Sequence, residues 1–231
     1  MSRAIPVVTI DGASGTGKGT ISRMLAQELK WHFLDSGALY RVLAYAARSH
    51  GVNIEEESSL EALASSLDVQ FLTDSNSLVT QIIFESNDIT AAIREEEIGN
   101  LASVISAHHA VRVALVGLQH DFLKSPGLVA DGRDMGRVIF PEAQVKVFLE
   151  ASAEIRATRR YKQLQERGDN VKFETLLDDL NRRDLRDINR VASPLKAADD
   201  AIHVDTDEMT VSDVFSSVVR HVKARLKSSD K

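Results

Sequence analysis

Val8-Thr9-Ile10-Asp11-Gly12-Ala13-Ser14-Gly15-Thr16-Gly17-Lys18-Gly19-Thr20 runs from a β-type segment through a glycine-rich turn to a lysine, and Ile21, Leu25 and Leu29 then recur at helical spacing. Strand, glycine turn and helix in that order describe a phosphate-binding loop. Gly12, Gly15 and Gly17 lack a Cβ, so the turn can take left-handed angles and aim successive backbone N–H groups at a polyphosphate. Lys18 adds a mobile positive charge, and a helix opening near it turns its positive dipole end toward the same anion. A chance glycine-rich turn would not need all of these features together. One position departs from the general pattern. Gly19 stands where a Ser or Thr hydroxyl commonly binds Mg²⁺, which leaves Thr20 as a candidate phosphate contact.

Composition narrows the class. With 231 residues, 43% hydrophobic and 27% charged, the chain can bury a full core. No run approaches the roughly 20 apolar residues a membrane helix needs. The first apolar run, Val7 to Ile10, stops at Asp11 and is too short for a signal peptide, so a soluble, cytoplasmic protein without a membrane partner is expected. The absence of cysteine excludes disulfides, thiolate zinc sites and cysteine nucleophiles. His108-His109 lacks metal-ligand spacing and reads as a surface or helix-end pair, so no protein metal centre is expected. A formal net charge of −6 argues against a nucleic acid polymer as partner. Yet Arg156, Arg159, Arg160, Arg167, Arg182, Arg183, Arg186 and Arg190 crowd one stretch, a charge pattern suited to a compact anion.

Strand-like runs at Val7–Ile10, His32–Leu34, Leu128–Ala130, Val145–Leu149 and Ala201–Val204 alternate with helical patterns. One helical stripe is Val111, Leu115, Leu118 and Phe122; another is Val211, Phe215, Val218, Val222 and Leu226. Such alternation predicts an α/β fold, a parallel sheet layered between helices, with ligands at the carboxyl ends of its strands. The glycine loop, Asp35-Ser36-Gly37 and Asp131-Gly132-Arg133-Asp134 each follow one of those strands directly, which places three polar clusters on one edge. Two segments interrupt the pattern. Ser58 to Glu61 has capping-box spacing ahead of Leu60, Leu63 and Leu67, after which Val69–Leu72 and Leu78–Phe84 flank the turn-rich Thr73–Ser77, predicting an inserted helix and hairpin. Arg167-Gly168-Asp169-Asn170 reads as a hinged tip between an Arg-rich helix starting near Ser152 and another carrying Phe173, Leu176, Leu177 and Leu180. Trp31 reads as a packing anchor, and the last five residues as a frayed tail.

Four blocks carry a family likeness: Asp11 to Thr20, Asp35-Ser36-Gly37-Ala38-Leu39-Tyr40-Arg41, Ala130-Asp131-Gly132-Arg133-Asp134-Met135-Gly136, and Arg182-Arg183-Asp184-Leu185-Arg186-Asp187-Ile188-Asn189-Arg190. Through them nearly the whole chain resembles the nucleoside monophosphate kinases, and among these the bacterial cytidylate kinases; Gly19-Thr20 is similar to the form common in this family. The resemblance implies a three-layer P-loop core with a parallel sheet (1–40, 101–155 and 173–231), an inserted NMP-binding domain of helices and a small antiparallel sheet (41–100), and a short helical lid (156–172). It implies a monomer using ATP and Mg²⁺ with CMP or dCMP as acceptor. Residue by residue, it implies that Gly12 through Thr20 hold the donor with help from Arg156, Arg159 and Arg160 of the lid. Arg41, Arg133 and Arg190 would grip the acceptor phosphate with Ser36 and Tyr40 beside them, and Arg183 and Asp187 would reach its ribose. Asp134 would accept from the cytosine amine while Ser103 and Arg112 donate to the ring acceptors. Lys18, Asp131, Arg133, Arg183 and Arg190 form the implied catalytic set, Asp131 either holding magnesium-bound water or orienting arginines.

Physical chemistry agrees with such an assembly. Phosphoryl transfer between two polyanions requires charge neutralisation and alignment rather than a general base, because a phosphate monoester with a second pKa of about 6 is already a dianionic nucleophile at neutral pH. Cytosine offers an amine where uracil offers a carbonyl, so an ionised carboxylate discriminates between them. Blander readings exist for each group. Arg183, Asp187 and Arg190 share one face if their segment is helical, which a surface salt-bridge ladder would also produce. Asp35 or Ser36 could cap a helix, Asp134 could cap or pair, and the lid arginines could be solvated helix charge. A kinase for UMP or a non-nucleotide acceptor, or an ATP-holding module that transfers nothing, are the rival functions, and Asp134 with Arg112 is the discriminating pair.

Overall fold

The computed structural model describes residues 4–73, 80–166 and 168–228. Strand β1 (Val7–Gly12) is buried along its whole length and lies at the centre of a five-stranded parallel sheet. The order is β2 (His32–Asp35), β6 (Leu128–Gly132), β1, β7 (Val145–Glu150), β8 (Ile202–Asp205). The five strands predicted from alternation are these five, each within two residues of its expected end. Val8 and Ile10 face one side of the sheet, against Ile21 and Leu25 of α1 (Lys18–Leu29) and Val214, Val218 and Val222 of α8 (Val211–Ser228). Val7 faces the other side with Leu34, Leu39 and Leu128. Register pairs Asp11 with Gly132, Asp35 with Asp131 and Gly12 with Leu149, so the polar clusters do share the carboxyl edge. Trp31 is half-buried against the first of these cores, over Gly127, where a Cβ would collide with its ring.

The insert begins on α2 (Ser36–Ser49) and continues through α3 (Glu57–Ser65), strands β3 (Val69–Thr73), β4 (Thr80–Phe84) and β5 (Asn87–Asp88), and α4 (Glu96–Ile105). Its antiparallel sheet has a third short strand that the hairpin pattern did not announce. Its apolar core also takes in Val111 and Leu115 of α5 (His109–His120), so the expected boundaries near 40 and 100 cut through helices that pack as wholes. The stripe on α5 ends before Phe122, which follows the helix in a turn. Ser58 does not cap α3, because the helix starts one residue before it and Glu56 occupies the cap position without a side-chain bond. His108 precedes α5, its Nε2 3.0 Å from the Ile54 carbonyl oxygen.

Helix α6 (Ala153–Glu166) starts after Ser152 as expected, with the Ser152 hydroxyl 3.4 Å from the Ile155 N–H. It pairs with α7 (Phe173–Asn189) through buried Leu164 and Leu176 and an edge-on contact of Tyr161 with Phe173. Arg167 at the tip between them, most of the Thr73–Ser77 turn and the last three residues lie outside the described residues. Among the described residues no single helix is long and apolar enough to cross a membrane. Helices α4 and α5 reach that length only as a pair bent by 106°, and both pack into the insert core.

Candidate active site

The sheet's carboxyl edge delivers the loop. Gly12 has φ 151, and a Cβ there would press into the Leu149 carbonyl of the neighbouring strand. Gly17 occupies the left-handed region at φ 88 and forms the N-cap of α1, so the helix opens at Lys18 as its spacing predicts. The buried Lys18 Nζ donates to the Ala13 carbonyl at 3.0 Å, and Thr16 Oγ1 donates to the same oxygen at 3.1 Å. Burial pushes the Lys18 ammonium down to about 7, and Arg133 and Arg183 push the same way. Facing the loop, Asp131 is buried at the end of β6, and burial raises its carboxyl to about 7 against the pull of Lys18. Asp131 Oδ2 sits 3.1 Å from where a Gly19 Cβ would be. The missing hydroxyl at Gly19 therefore makes room for a carboxylate.

A cleft of about 630 Å³ opens here, and Ser14, Gly15 and Lys18 share its wall with Arg41, Arg133, Arg160 and Arg183. Each arginine is held by a different device. Arg41 Nη1 donates to the Ile93 and Glu95 carbonyls at 2.7 and 3.2 Å, and its fork lies on α4 where Gly99 has no side chain to obstruct it. Arg133 Nε donates to Asp187 Oδ2 at 3.1 Å. Burial pushes Asp187 up, but Arg133, Arg183 and Arg190 outweigh it and hold the carboxyl below its ordinary value. Arg183 Nε is buried without a hydrogen-bond partner, and desolvation lowers that guanidinium to about 10.

Behind this cluster Asp134 forms a buried ion pair with Arg112, Oδ2 to Nη2. Arg112 Nη1 donates to the Ser106 carbonyl at 3.2 Å, and its guanidinium lies 5.5 Å from the centre of the Tyr40 ring. Ser103 Oγ and Arg190 Nη2 are buried with no hydrogen-bond partner. Buried polar groups are normally satisfied, and leaving one bare costs about 1 to 3 kcal/mol. Orphaned donors on Ser103, Arg183 and Arg190 together call for an oxygen-rich ligand.

The sequence profile of the cytidylate kinase family matches residues 8–224. This chain belongs to the cytidylate kinase family. A cytidylate kinase of Shewanella denitrificans is 53% identical over 98% of this chain and 100% of its own length. Those of Aeromonas salmonicida and Azotobacter vinelandii are each 52% identical, over 98% and 95% of this chain and 97% and 96% of theirs. A solved Thermus thermophilus protein aligns over 97% of this chain and 99% of its own at 17% identity and TM-score 0.47, too loose a likeness to inform the site.

Several expected members of the family's site stand apart from the cleft lining. Ser36 Oγ donates to Gln119 Oε1 at 2.8 Å, while Asp35 takes the N-cap role by accepting from the Ala38 N–H. Thr20 is exposed on α1. Arg190 does not continue the face of Arg183 and Asp187: α7 ends at Asn189, and Arg190 turns off in extended conformation, its Nε donating to the Ser193 carbonyl. Arg159 is turned toward β8, donating to Thr206 Oγ1 at 3.0 Å and to the Thr206 carbonyl. Arg156 leans on the loop, donating to Ser14 O at 3.0 Å, but its fork is taken by both oxygens of Asp184. Arg160 alone of the three lid arginines lines the cleft, paired with Glu96.

Sequence reading missed Glu96, Gly99, Asp184 and Asp11. Asp11 belongs to the opening stretch, and its carboxylate accepts from the Met135 and Gly136 N–H groups at 2.8 and 2.9 Å. That pins the wide turn Met135–Ile139, a π-type turn of the kind found at functional sites, directly after Asp134. Gly99 carried a signal, a lone glycine in a helical run. Asp184 stood inside the Arg182–Arg190 block without a role assigned to it, and Glu96 carried no signal.

Proposed function

We propose that the protein transfers the γ-phosphate of ATP to CMP, and also to dCMP, releasing ADP with CDP or dCDP. The observation that carries this reading is the single cleft in which a phosphate loop and Lys18 face Arg41, Arg133 and Arg183. Backbone N–H groups of Gly12 to Thr20 and the Lys18 ammonium hold the donor triphosphate, and Arg160 reaches it from the lid, while Arg156 and Arg159 brace the adenosine end. Arg41, Arg133 and Arg190 bind the acceptor phosphate, and Arg183 and Asp187 hold the sugar. Position and charge supply the catalysis, because the acceptor dianion is already the nucleophile.

Asp134 uses Oδ2 for Arg112, so Oδ1 remains to accept from the cytosine amine, with Arg112 and Ser103 donating to the ring. Tyr40 supports the Arg112 plane. Uracil would set a carbonyl against Asp134, a loss of about five- to 150-fold for one buried unpaired edge of about 1 to 3 kcal/mol. Mg²⁺ takes one or two carboxylates plus phosphate oxygens rather than a protein cage, and Asp131 and Asp35 in the cleft wall fit that need. Asp131 would hold it, and it would supply positive charge to neutralise the phosphates. Closure of insert and lid keeps water from the donor. A cysteine-free chain of net charge −6 fits a cytoplasmic monomer acting on free nucleotides.

An ADP-release assay with CMP, dCMP, UMP, AMP and GMP tests the reading. CMP should give the highest kcat/KM. A faster UMP or AMP reaction, or ADP release indifferent to acceptor, overturns it.

A further inference from the structure

Carboxylates balance the arginines of this region in two different ways. Asp134 with Arg112, Asp187 with Arg133 and Asp184 with Arg156 are pairs in which both side chains are at most 16% exposed. Breaking such pairs leaves an uncompensated buried charge, which fixes them in place. Glu96 differs. It sits in the first turn of α4, its side chain is 47% exposed, and its Oε1 accepts from both Nε and Nη2 of Arg160 on α6. Glu96 also lines the same cleft as Arg41 and Arg183. Its neighbour Glu97 turns away to Arg48, 3.1 Å distant.

We infer that Glu96 is an internal stand-in for a nucleotide phosphate: it pairs with the cleft arginines when no polyphosphate is bound, straps lid helix α6 to insert helix α4, and is displaced when the nucleotide arrives. This rests on the reading of the cleft as the meeting place of two nucleotide phosphates. The guanidiniums of Arg41, Arg133, Arg160 and Arg183, brought to one wall, repel one another, and an exchangeable anion relieves that repulsion without blocking the site permanently. The charge of Glu96 already supports Arg41 and Arg183, whose cationic forms burial and neighbouring arginines disfavour. A pair with one half-exposed partner, Glu96 at 47% against Arg160 at 23%, is cheaper to exchange than a buried one. Glu96 therefore lowers affinity for polyphosphate and eases its release.

The test compares wild type, Glu96→Gln and Glu97→Gln by calorimetric titration with inorganic tripolyphosphate, together with KM and kcat for ATP and CMP. Both substitutions remove one carboxylate from the first turn of α4, so any effect through the helix dipole is common to them. Glu96→Gln should bind tripolyphosphate about two- to fivefold more tightly, the scale of one exposed ion pair, and Glu97→Gln should match wild type. In turnover, Glu96→Gln should lower both KM values with kcat no higher. Weaker or unchanged tripolyphosphate binding by Glu96→Gln, or an equal gain in Glu97→Gln, overturns the inference and makes Glu96 a plain positioning residue for Arg160. Failure of wild type to use CMP would instead overturn the kinase reading, leaving the tripolyphosphate result to decide Glu96.

Discussion

On the proposed function, the donor end of the site is one continuous loop, Gly12 to Gly17, with Lys18 behind it, whereas the acceptor end is assembled from side chains on separate elements: Arg41 on α2, Ser103 on α4, Arg112 on α5, Asp134 after β6 and Asp187 on α7. Backbone amides carry only partial charge, need no counter-ion and are fixed by the turn itself. Guanidiniums and carboxylates gathered from four separate parts of the chain must be desolvated and paired before any ligand arrives. The donor end is therefore a site whose damage costs turnover, while damage to the acceptor end costs fold and selectivity together.

Removing the lysine that stands behind the loop should have the largest effect. Lys18→Ala should lower kcat by at least about 10²- to 10³-fold, the scale of a lost transition-state donor. Because burial already holds that ammonium down at about 7, its loss should not lower the thermal midpoint. A large drop in midpoint would erase the contrast between the two ends.

Asp134→Ala should do the opposite and destabilise by about 3 to 5 kcal/mol, since Arg112 is left buried and unpaired. Discrimination between CMP and UMP should fall with it. Replacing both partners, Arg112→Met with Asp134→Leu, should recover much of the stability and none of the selectivity, read from denaturant midpoints and acceptor competition. Stability unchanged in the single variant would mean the pair is not what holds the acceptor end.

Glycines sharpen the comparison within the loop. At Gly17 a Cβ meets nothing within 4 Å, so Gly17→Ala should cost only the left-handed strain of about 1 to 2 kcal/mol. Gly12→Ala should cost distinctly more, because the added carbon strikes the backbone of β7. Equal midpoints for the two variants would contradict the packing of loop on strand.

The smallest expected effect is on pH. With its free pKa near 7, Lys18 is largely neutral at pH 8, and a bound triphosphate raises that pKa. ATP binding at pH 8 should then take up a proton, and affinity should fall as pH rises above 7, by no more than about tenfold per unit for one proton. Calorimetry in buffers of different ionisation enthalpy reads the uptake directly. Proton release, or none, would place Lys18 outside the donor contact.

What could be read from sequence follows the same division. The loop, its strand and its helix were legible, the strand to within two residues of its end, because glycine spacing and apolar periodicity are local signals. The five core strands were legible for the same reason, and their carboxyl edge followed from parallel topology. Ser103 and Arg112, and the role of Asp134 beyond its place in a strand-end polar cluster, entered only through the family likeness, since 30 intervening residues separate Ser103 from Asp134 and no local pattern joins them. Nothing in Arg186-Asp187-Ile188-Asn189-Arg190 announces a helix end at Asn189, so sequence did not show that Arg190 reaches Asp187 and Asp134 from the cap position rather than from within α7. Arg159 and Arg160 are adjacent in sequence yet serve Thr206 and the cleft, a split that depends on where α6 lies over the sheet. The capping box at Ser58 misled because the helix already starts one residue earlier, at Glu57, with Glu56 in the cap position.

Diffraction from crystals holding CMP together with a non-hydrolysable ATP analogue tests the central claim most directly. The account predicts the triphosphate against the Gly12–Lys18 loop and the cytosine amine within hydrogen-bond distance of Asp134, with Arg41 and Arg133 on the acceptor phosphate. A cytosine seated away from Asp134 and Arg112, or an empty loop, would contradict it.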